Sequence, residues 1–130
     1  ATYVPARNTI FLSFALSFAE AAGARDVFIG ANAVDFSGYP DCRPGYYRIF
    51  NILSKLATKA GLEGRAIRIH APLINMAKKE IVLLSKRLKV PLELTWSCYQ
   101  AGNKPCGVCD SCKFRAKGFS GAGAEDPVNA

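Results

Sequence analysis

Four of the chain's five cysteines fall between Cys98 and Cys112, in CYQAGNKPCGVCDSC, separated by seven, two and two residues. Thiolates so spaced in a loop of Gly, Asn and Pro match a closed tetrahedral zinc site, with each sulfur ~2.3 Å from the ion. Cys98, Cys106, Cys109 and Cys112 would fill the whole shell, leaving no position for water, so the expected zinc is structural. An iron–sulfur cluster uses the same ligands, and spacing alone does not exclude it. Disulfides suit a secreted chain, yet no signal peptide heads this one and Cys42 would be odd, so reduced thiols and a cytoplasmic setting are expected. Lys104, Lys113, Arg115 and Lys117 flank the cluster and are expected to neutralise its thiolate charge.

A second group with chemical potential lies in NAVDFSGYPDCRP, from Asn32 to Pro44. It holds Asp35, Tyr39, Asp41, Cys42 and Arg43 between the turn formers Gly38 and Pro40. A loop this long and chemically mixed is usually a site. Cys42 reads as a small packed thiol, and no nucleophile is required of it. Arg7 and Asn8 stand in the first turn of a helix, where a cation opposes the helix dipole and hints at an anionic neighbour. Lys78 is placed the same way on a later helix and is expected to contact an anion. His70 ends a strand and reads as a structural histidine.

The elements that must position these groups follow from periodicity. Phe11, Phe14, Phe18 and Ala22 recur at helical spacing from Arg7 to Ala22, predicting a helix with an aromatic core face that ends at Gly23. DVFIG, from Asp26 to Gly30, predicts a buried strand whose carboxyl end opens into the Asn32–Pro44 loop, where open α/β sheets place their ligands. A second helix is expected from Gly45 to Ala60, with Phe50, Leu53, Leu56 and Ala57 inward. Alternation of Ile67 and Ile69 with Arg65 and Arg68 predicts another strand. Asn75 is expected to cap a third helix, Met76 to Lys89, with Ile81, Leu84 and Leu88 inward. LELTWS predicts a last extended piece before the metal loop, the chain is expected to turn helical after Cys109, through Cys112 to Gly118, and Ser120–Ala130 is expected to fray.

At 130 residues, half of them hydrophobic, the chain can bury one core. The longest nearly apolar run, TIFLSFALSFA, falls short of the ~20 residues that cross a bilayer. A formal charge of +7 favours a polyanionic ligand such as ATP, another phosphorylated molecule or nucleic acid. A nucleic-acid-binding zinc module, with Trp96 and Tyr99 stacking bases, is therefore a competing reading. An assembly fragment without activity of its own is a third.

VPARN, NAVDFSGYPDCRP, IHAPLINMAKKEI, LTWSCYQAGNKPCGVCDSCKFRAKGF and GAEDP together resemble the 7-cyano-7-deazaguanine synthases along essentially the whole chain. The resemblance implies an α/β fold, a doubly wound and mostly parallel sheet of the adenine nucleotide alpha-hydrolase type, with a C-terminal Cys₄ zinc element. It divides the chain into residues 1–97 of the α/β domain, a zinc element at 98–119 and a flexible tail at 120–130. It implies ATP, with Mg²⁺, as co-substrate in converting 7-carboxy-7-deazaguanine and ammonia to 7-cyano-7-deazaguanine, on the route to queuosine. It gives Cys98, Cys106, Cys109 and Cys112 as zinc ligands, Lys78 as the catalytic residue facing phosphate, and Arg7, Asn8, Asp35, Tyr39, Asp41 and Arg43 as substrate contacts. Neither a membrane nor a direct nucleic-acid partner is implied, and a homodimer is compatible with it. One departure stands out: the family's Ser-Gly-Gly-x-Asp-Ser phosphate loop is absent, and the sequence holds no Gly-Gly pair at all. The expectation is a C-terminal portion that needs the N-terminal portion of the same enzyme and is inactive alone.

Overall fold

The structure, a computed structural model, describes residues 3–32, 38–100 and 102–128. Their contacts divide into two compact units, Ala1–Asn75 and Met76–Ala130.

In the first unit, helix α1 (Arg7–Ala21) is followed by strand β1 (Asp26–Phe28), helix α2 (Pro44–Ala57), the single turn α3 (Lys59–Leu62) and strand β2 (Arg68–His70). Helix α1 ends as expected at Gly23, which takes a φ of +69°. Its buried face, however, is Asn8, Leu12, Leu16 and Ala19, while Phe11, Phe14 and Phe18 are 59%, 74% and 74% exposed. Two stripes of helical period run along this helix, and periodicity cannot say which one the fold covers. The slimmer aliphatic stripe lies on the core, beside Ala31, Cys42, Tyr47, Phe50, Ile67 and Ile69. Helix α2 differs similarly. Phe50 is buried as expected, but Leu53, Leu56 and Ala57 are exposed, and Tyr47 and Ser54 take the inner positions.

Strands β1 and β2 pair in parallel, Asp26 opposite Arg68, Val27 opposite Ile69 and Phe28 opposite His70. This two-stranded sheet is the whole sheet among the described residues. It has the parallel sense of the expected doubly wound sheet but not its extent, because each strand is only three residues long and no third pairs with them. Alternation is obeyed: Ile67 and Ile69 are buried, whereas Asp26, Phe28 and Arg68 are exposed. On the exposed face Asp26 Oδ1 lies 2.7 Å from His70 Nε2 and 3.2 Å from Arg68 Nε. The outer edge of β2 is sealed by side chains. Asn51 on α2 accepts from the Ile69 amide (2.8 Å) and donates to the Ile69 carbonyl (3.0 Å), and Ser54 Oγ donates to the Ile67 carbonyl (2.7 Å).

The second unit contains α4 (Lys78–Arg87), a 3₁₀ turn at Leu92–Leu94 and α5 (Asp110–Gly121). Ala77, not Asn75, is the N-cap of α4, and the Ala77 amide is satisfied by Glu80 Oε2 at 2.7 Å. Val82 is the buried side chain of α4, Ile81 and Leu84 are half-buried, and Leu88 is exposed. Where an extended piece was expected, Pro91 and Thr95 make the 3₁₀ turn instead. Thr95 Oγ1 donates to the Leu92 carbonyl (2.6 Å), a local bond that competes with strand geometry. Helices α4 and α5 approach closely because Gly118 has no side chain; a Cβ there would lie 2.9 Å from Lys78 Cβ.

Candidate metal centre and candidate binding loop

The Cys98–Cys112 loop brings its four thiols together. The Sγ atoms of Cys98, Cys106, Cys109 and Cys112 all lie within 4.8 Å of one another, and Cys106 Sγ is 4.0 Å from Cys112 Sγ. Ligands ~2.3 Å from a tetrahedral ion are separated by about 3.8 Å, so the group fits a Cys₄ ion with small adjustment. The sequence dictates this local shape. Gly107 adopts a φ of +71°, which turns the chain between Cys106 and Cys109 so that the Cys109 amide donates to Cys106 Sγ (3.4 Å). Cys109 is itself the N-cap of α5 and accepts from the Cys112 amide (3.5 Å). Cys98 Sγ accepts from the amides of Gln100 (3.3 Å) and Cys106 (3.4 Å).

These amides favour thiolates. The Cys106 and Gln100 amides lower the pKa of Cys98, and the Tyr99 and Cys112 amides lower that of Cys109 to about 6. Burial, reinforced by the bond from Cys109, pushes Cys112 up to about 12. A divalent ion bound by the four sulfurs would hold them as thiolates.

The expected neutralising cations divide. Lys104, Lys113 and Lys117 are exposed, but Arg115 turns inward, away from that role. Its guanidinium makes a bidentate pair with Asp126 (2.7 and 2.8 Å) and also donates to Thr95 Oγ1 (2.9 Å) and to the carbonyls of Thr95 and Leu92. Trp96 donates through Nε1 to the Cys98 carbonyl (3.0 Å), which makes it a brace of the loop. Asp126 lies in the stretch expected to fray, and nothing in the sequence marks it as the partner of Arg115.

In the first unit, three of the expected substrate residues meet at the start of α1. Ala6, the N-cap, sits at a φ of +53° and has no side chain able to cap the helix. Asp41, 33 residues away, supplies the cap: its Oδ2 accepts from the Asn8 amide at 2.9 Å. Asn8 Nδ2 donates in return to the Asp41 carbonyl (3.3 Å) and to Cys42 Sγ (3.1 Å). Arg7 projects from the same turn, its Nη2 3.3 Å from Asn8 Oδ1. Tyr47 donates to the Asp41 carbonyl (3.3 Å), and Tyr46 donates to Thr9 Oγ1 (3.0 Å), fastening α2 to the junction. Asn8, Asp41 and Cys42 are buried, in keeping with a packed thiol at Cys42. Tyr39 is half-buried with its ring 5.8 Å from that of Tyr3, and Arg43 is exposed at the N-cap of α2. Asp35 lies outside the described residues. Lys78 opens α4 in the second unit, half-buried with its Cβ against Gly118.

Comparison with known proteins supplies the remaining finding. The family described as queuosine biosynthesis protein QueC matches residues 1–123. The chain is 61% identical over 129 residues to a 7-cyano-7-deazaguanine synthase of Nitrosococcus oceani, covering 98% of this chain and 58% of that protein. A protein of the same name from Ralstonia pickettii gives the same three figures, and one from Nostoc sp. is 58% identical over 127 residues, covering 98% and 56%. The chain thus spans little more than half the length of these relatives.

Proposed function

The chain belongs to the family of queuosine biosynthesis protein QueC, and on that footing we propose that it is part of an ATP-dependent, C–N bond-forming ligase that makes 7-cyano-7-deazaguanine from 7-carboxy-7-deazaguanine and ammonia. The observation that carries the reading is the 61% identity, over 129 residues, to proteins named for that product. The nearly full-length coverage of this chain supports it further, because the match includes both the Asn8–Asp41 junction and the four-cysteine loop.

The reaction requires two activations. A substrate carboxylate oxygen attacks the α-phosphorus of ATP and expels pyrophosphate; ammonia then displaces AMP and loses a proton to leave the amide. The amide oxygen is adenylated in turn, and departure of the second AMP with loss of the nitrogen's two protons leaves the nitrile. Each step stabilises phosphate charge and needs no covalent enzyme nucleophile. Arg43 and Arg7 suit the carboxylate, with Arg offering a planar pair of donors. Asp35 and Tyr39 suit the donor edge of the purine-like base. Asn8 and Asp41 are already bonded to each other, so their part is to hold the helix start and the turn that present the two arginines. Lys78 suits a phosphate, and Mg²⁺ would accompany ATP. Zinc in the Cys₄ loop would cross-link the segment before α5 and take no part in the chemistry. The sequence holds no Ser-Gly-Gly-x-Asp-Ser loop, so in this reading a further segment of the enzyme would supply the convergent backbone donors that pyrophosphate departure needs. Reduced cysteines would suit a cytoplasmic setting for the enzyme.

The test is turnover by an enzyme that carries these residues together with a phosphate loop. Incubation with ATP, ammonium and 7-carboxy-7-deazaguanine should yield two AMP per nitrile, and Arg43→Ala should raise KM for the carboxylate more than for ATP. The 130-residue chain alone should give neither product. Absence of ATP-dependent nitrile from the longer enzyme, together with RNA affinity that falls steeply with salt, would replace this reading with the nucleic-acid one.

A further inference from the structure

The two branches that carry the metal ligands leave the Cys₄ loop through one buried side chain. Thr95 lies three residues before Cys98, and Arg115 lies three residues, about one helical turn, after Cys112. Arg115 Nη1 reaches Thr95 Oγ1 at 2.9 Å, so the root of the loop is closed by that contact. A guanidinium only 9% exposed cannot remain there without a counter-charge, and Asp126, 7% exposed, provides it through two short bonds. Phe119 packs against the same guanidinium at 5.0 Å. The tail that brings Asp126 in is itself held by Asp126: the Val128 amide donates to Asp126 Oδ1 (3.1 Å), while the Ala124 amide donates to the Phe119 carbonyl (3.0 Å).

We propose that Arg115 and Asp126 are the positioning residues of the metal centre, so that metal binding and docking of the 124–128 tail form one coupled equilibrium. The physical reason is preorganisation. With the loop root pinned, Cys98 approaches Cys109 and Cys112 without the entropy cost of closing the segment between them. Coupling of this kind is reciprocal: whatever tail docking adds to metal affinity, metal adds to tail docking. The inference is independent of the reaction the enzyme performs.

The test measures zinc affinity of the 130-residue chain by competition with a chromophoric chelator, alongside the cobalt(II)–thiolate absorption of the cobalt-loaded protein. Asp126→Asn keeps the shape and removes the charge, and should lower zinc affinity about 10–100-fold, the usual effect of disturbing groups that orient ligands. Arg115→Lys should do the same, because one ammonium cannot reach Asp126, Thr95 and Leu92 together. Ser54→Ala, in the other unit, is the control for general destabilisation and should leave zinc affinity unchanged. In the unaltered chain, hydrogen exchange at the Ala124 and Val128 amides should accelerate when the chelator removes zinc. A folded Asp126→Asn protein with undiminished zinc affinity, or a loss no larger than that of Ser54→Ala, would overturn the proposal. Should Asp126→Asn fail to fold, the exchange measurement decides alone: tail amides indifferent to zinc would refute the coupling.

Discussion

The Cys₄ loop and the Asn8–Asp41 junction are both tight knots of polar groups, but they are tied differently. In the first, four thiols lie within fifteen residues and have one dominant chemistry, so neighbours in sequence become neighbours in space. In the second, a helix that begins on an alanine borrows its cap from a carboxylate 33 residues away, and the bonds that join Asn8 to Asp41 and Cys42 link segments far apart in sequence. A local knot is closed by whatever binds its thiolates. A non-local one is closed by the fold around it, and it fails when any one partner is cut.

That contrast ranks the expected consequences of breaking each knot. Cys106→Ser should have the largest effect, since structural zinc in small Cys-rich peptides contributes on the order of 10 kcal/mol to folding, and removing a ligand forfeits much of it. Elemental analysis should fall from one zinc per chain to near zero, and slow-exchanging amides of α5 should be lost while those of α1 persist. Loss of protection in both helices together would erase the distinction between the two knots.

Asp41→Ala should come next, destabilising the chain by about 2–3 kcal/mol, because it removes a buried charge-assisted bond and leaves the Asn8 amide unsatisfied. Urea unfolding followed by the α1 signals would measure it, with zinc content unchanged. Asp41→Asn, which retains an acceptor, should recover most of the loss. Equal damage from both substitutions would mean that the charge, and not the cap, holds the junction. Asn51→Ala should cost about 1–2 kcal/mol by exposing the Ile69 amide and carbonyl at the strand edge, where water can partly replace the side chain. A loss of under about 0.3 kcal/mol would show that the edge has no need of its seal.

The same contrast explains what could be read in the sequence. The clustering of the four cysteines was legible because spacing and side-chain chemistry both point one way, and the sequence sets the loop at Tyr39–Arg43 apart as chemically mixed. The roles within that loop were not legible, because the bond that turns Asp41 inward depends on Ala6 being unable to cap its own helix, a relation between two distant positions. The order of helices and of the two strands was readable; β2 fell where alternation put it, whereas β1, expected as a buried apolar run, leaves Asp26 and Phe28 exposed. Which face of α1 is buried was not readable: Leu12–Leu16–Ala19 and Phe11–Phe14–Phe18 have the same period, and only the neighbouring sheet distinguishes them. Arg115 and Asp126 were invisible for a related reason, since a buried ion pair looks in sequence like two ordinary surface charges.

The smallest expected effect lies on the exposed face of the sheet and tests the comparison at its limit, an ion group that ties no knot at all. Asp26 accepts from His70 and lies beside Arg68, and the His70 bond is the main reason its pKa stands below the ordinary value of 3.8. A carboxylate with a depressed folded pKa contributes stability that is present above its unfolded value and is lost as pH falls through the folded one. The contribution should therefore be fully present at neutral pH and begin to fall away below about pH 4, vanishing once the folded carboxylate is protonated. Asp26→Asn should lower the urea midpoint slightly at pH 7, by an amount that shrinks as acid protonates the carboxylate, and also shrinks in high salt because all three groups face solvent. A midpoint difference that persisted at low pH would mean that Asp26 acts through its shape at the start of β1, and the face would then belong with the packed regions of the unit and not with its solvated surface.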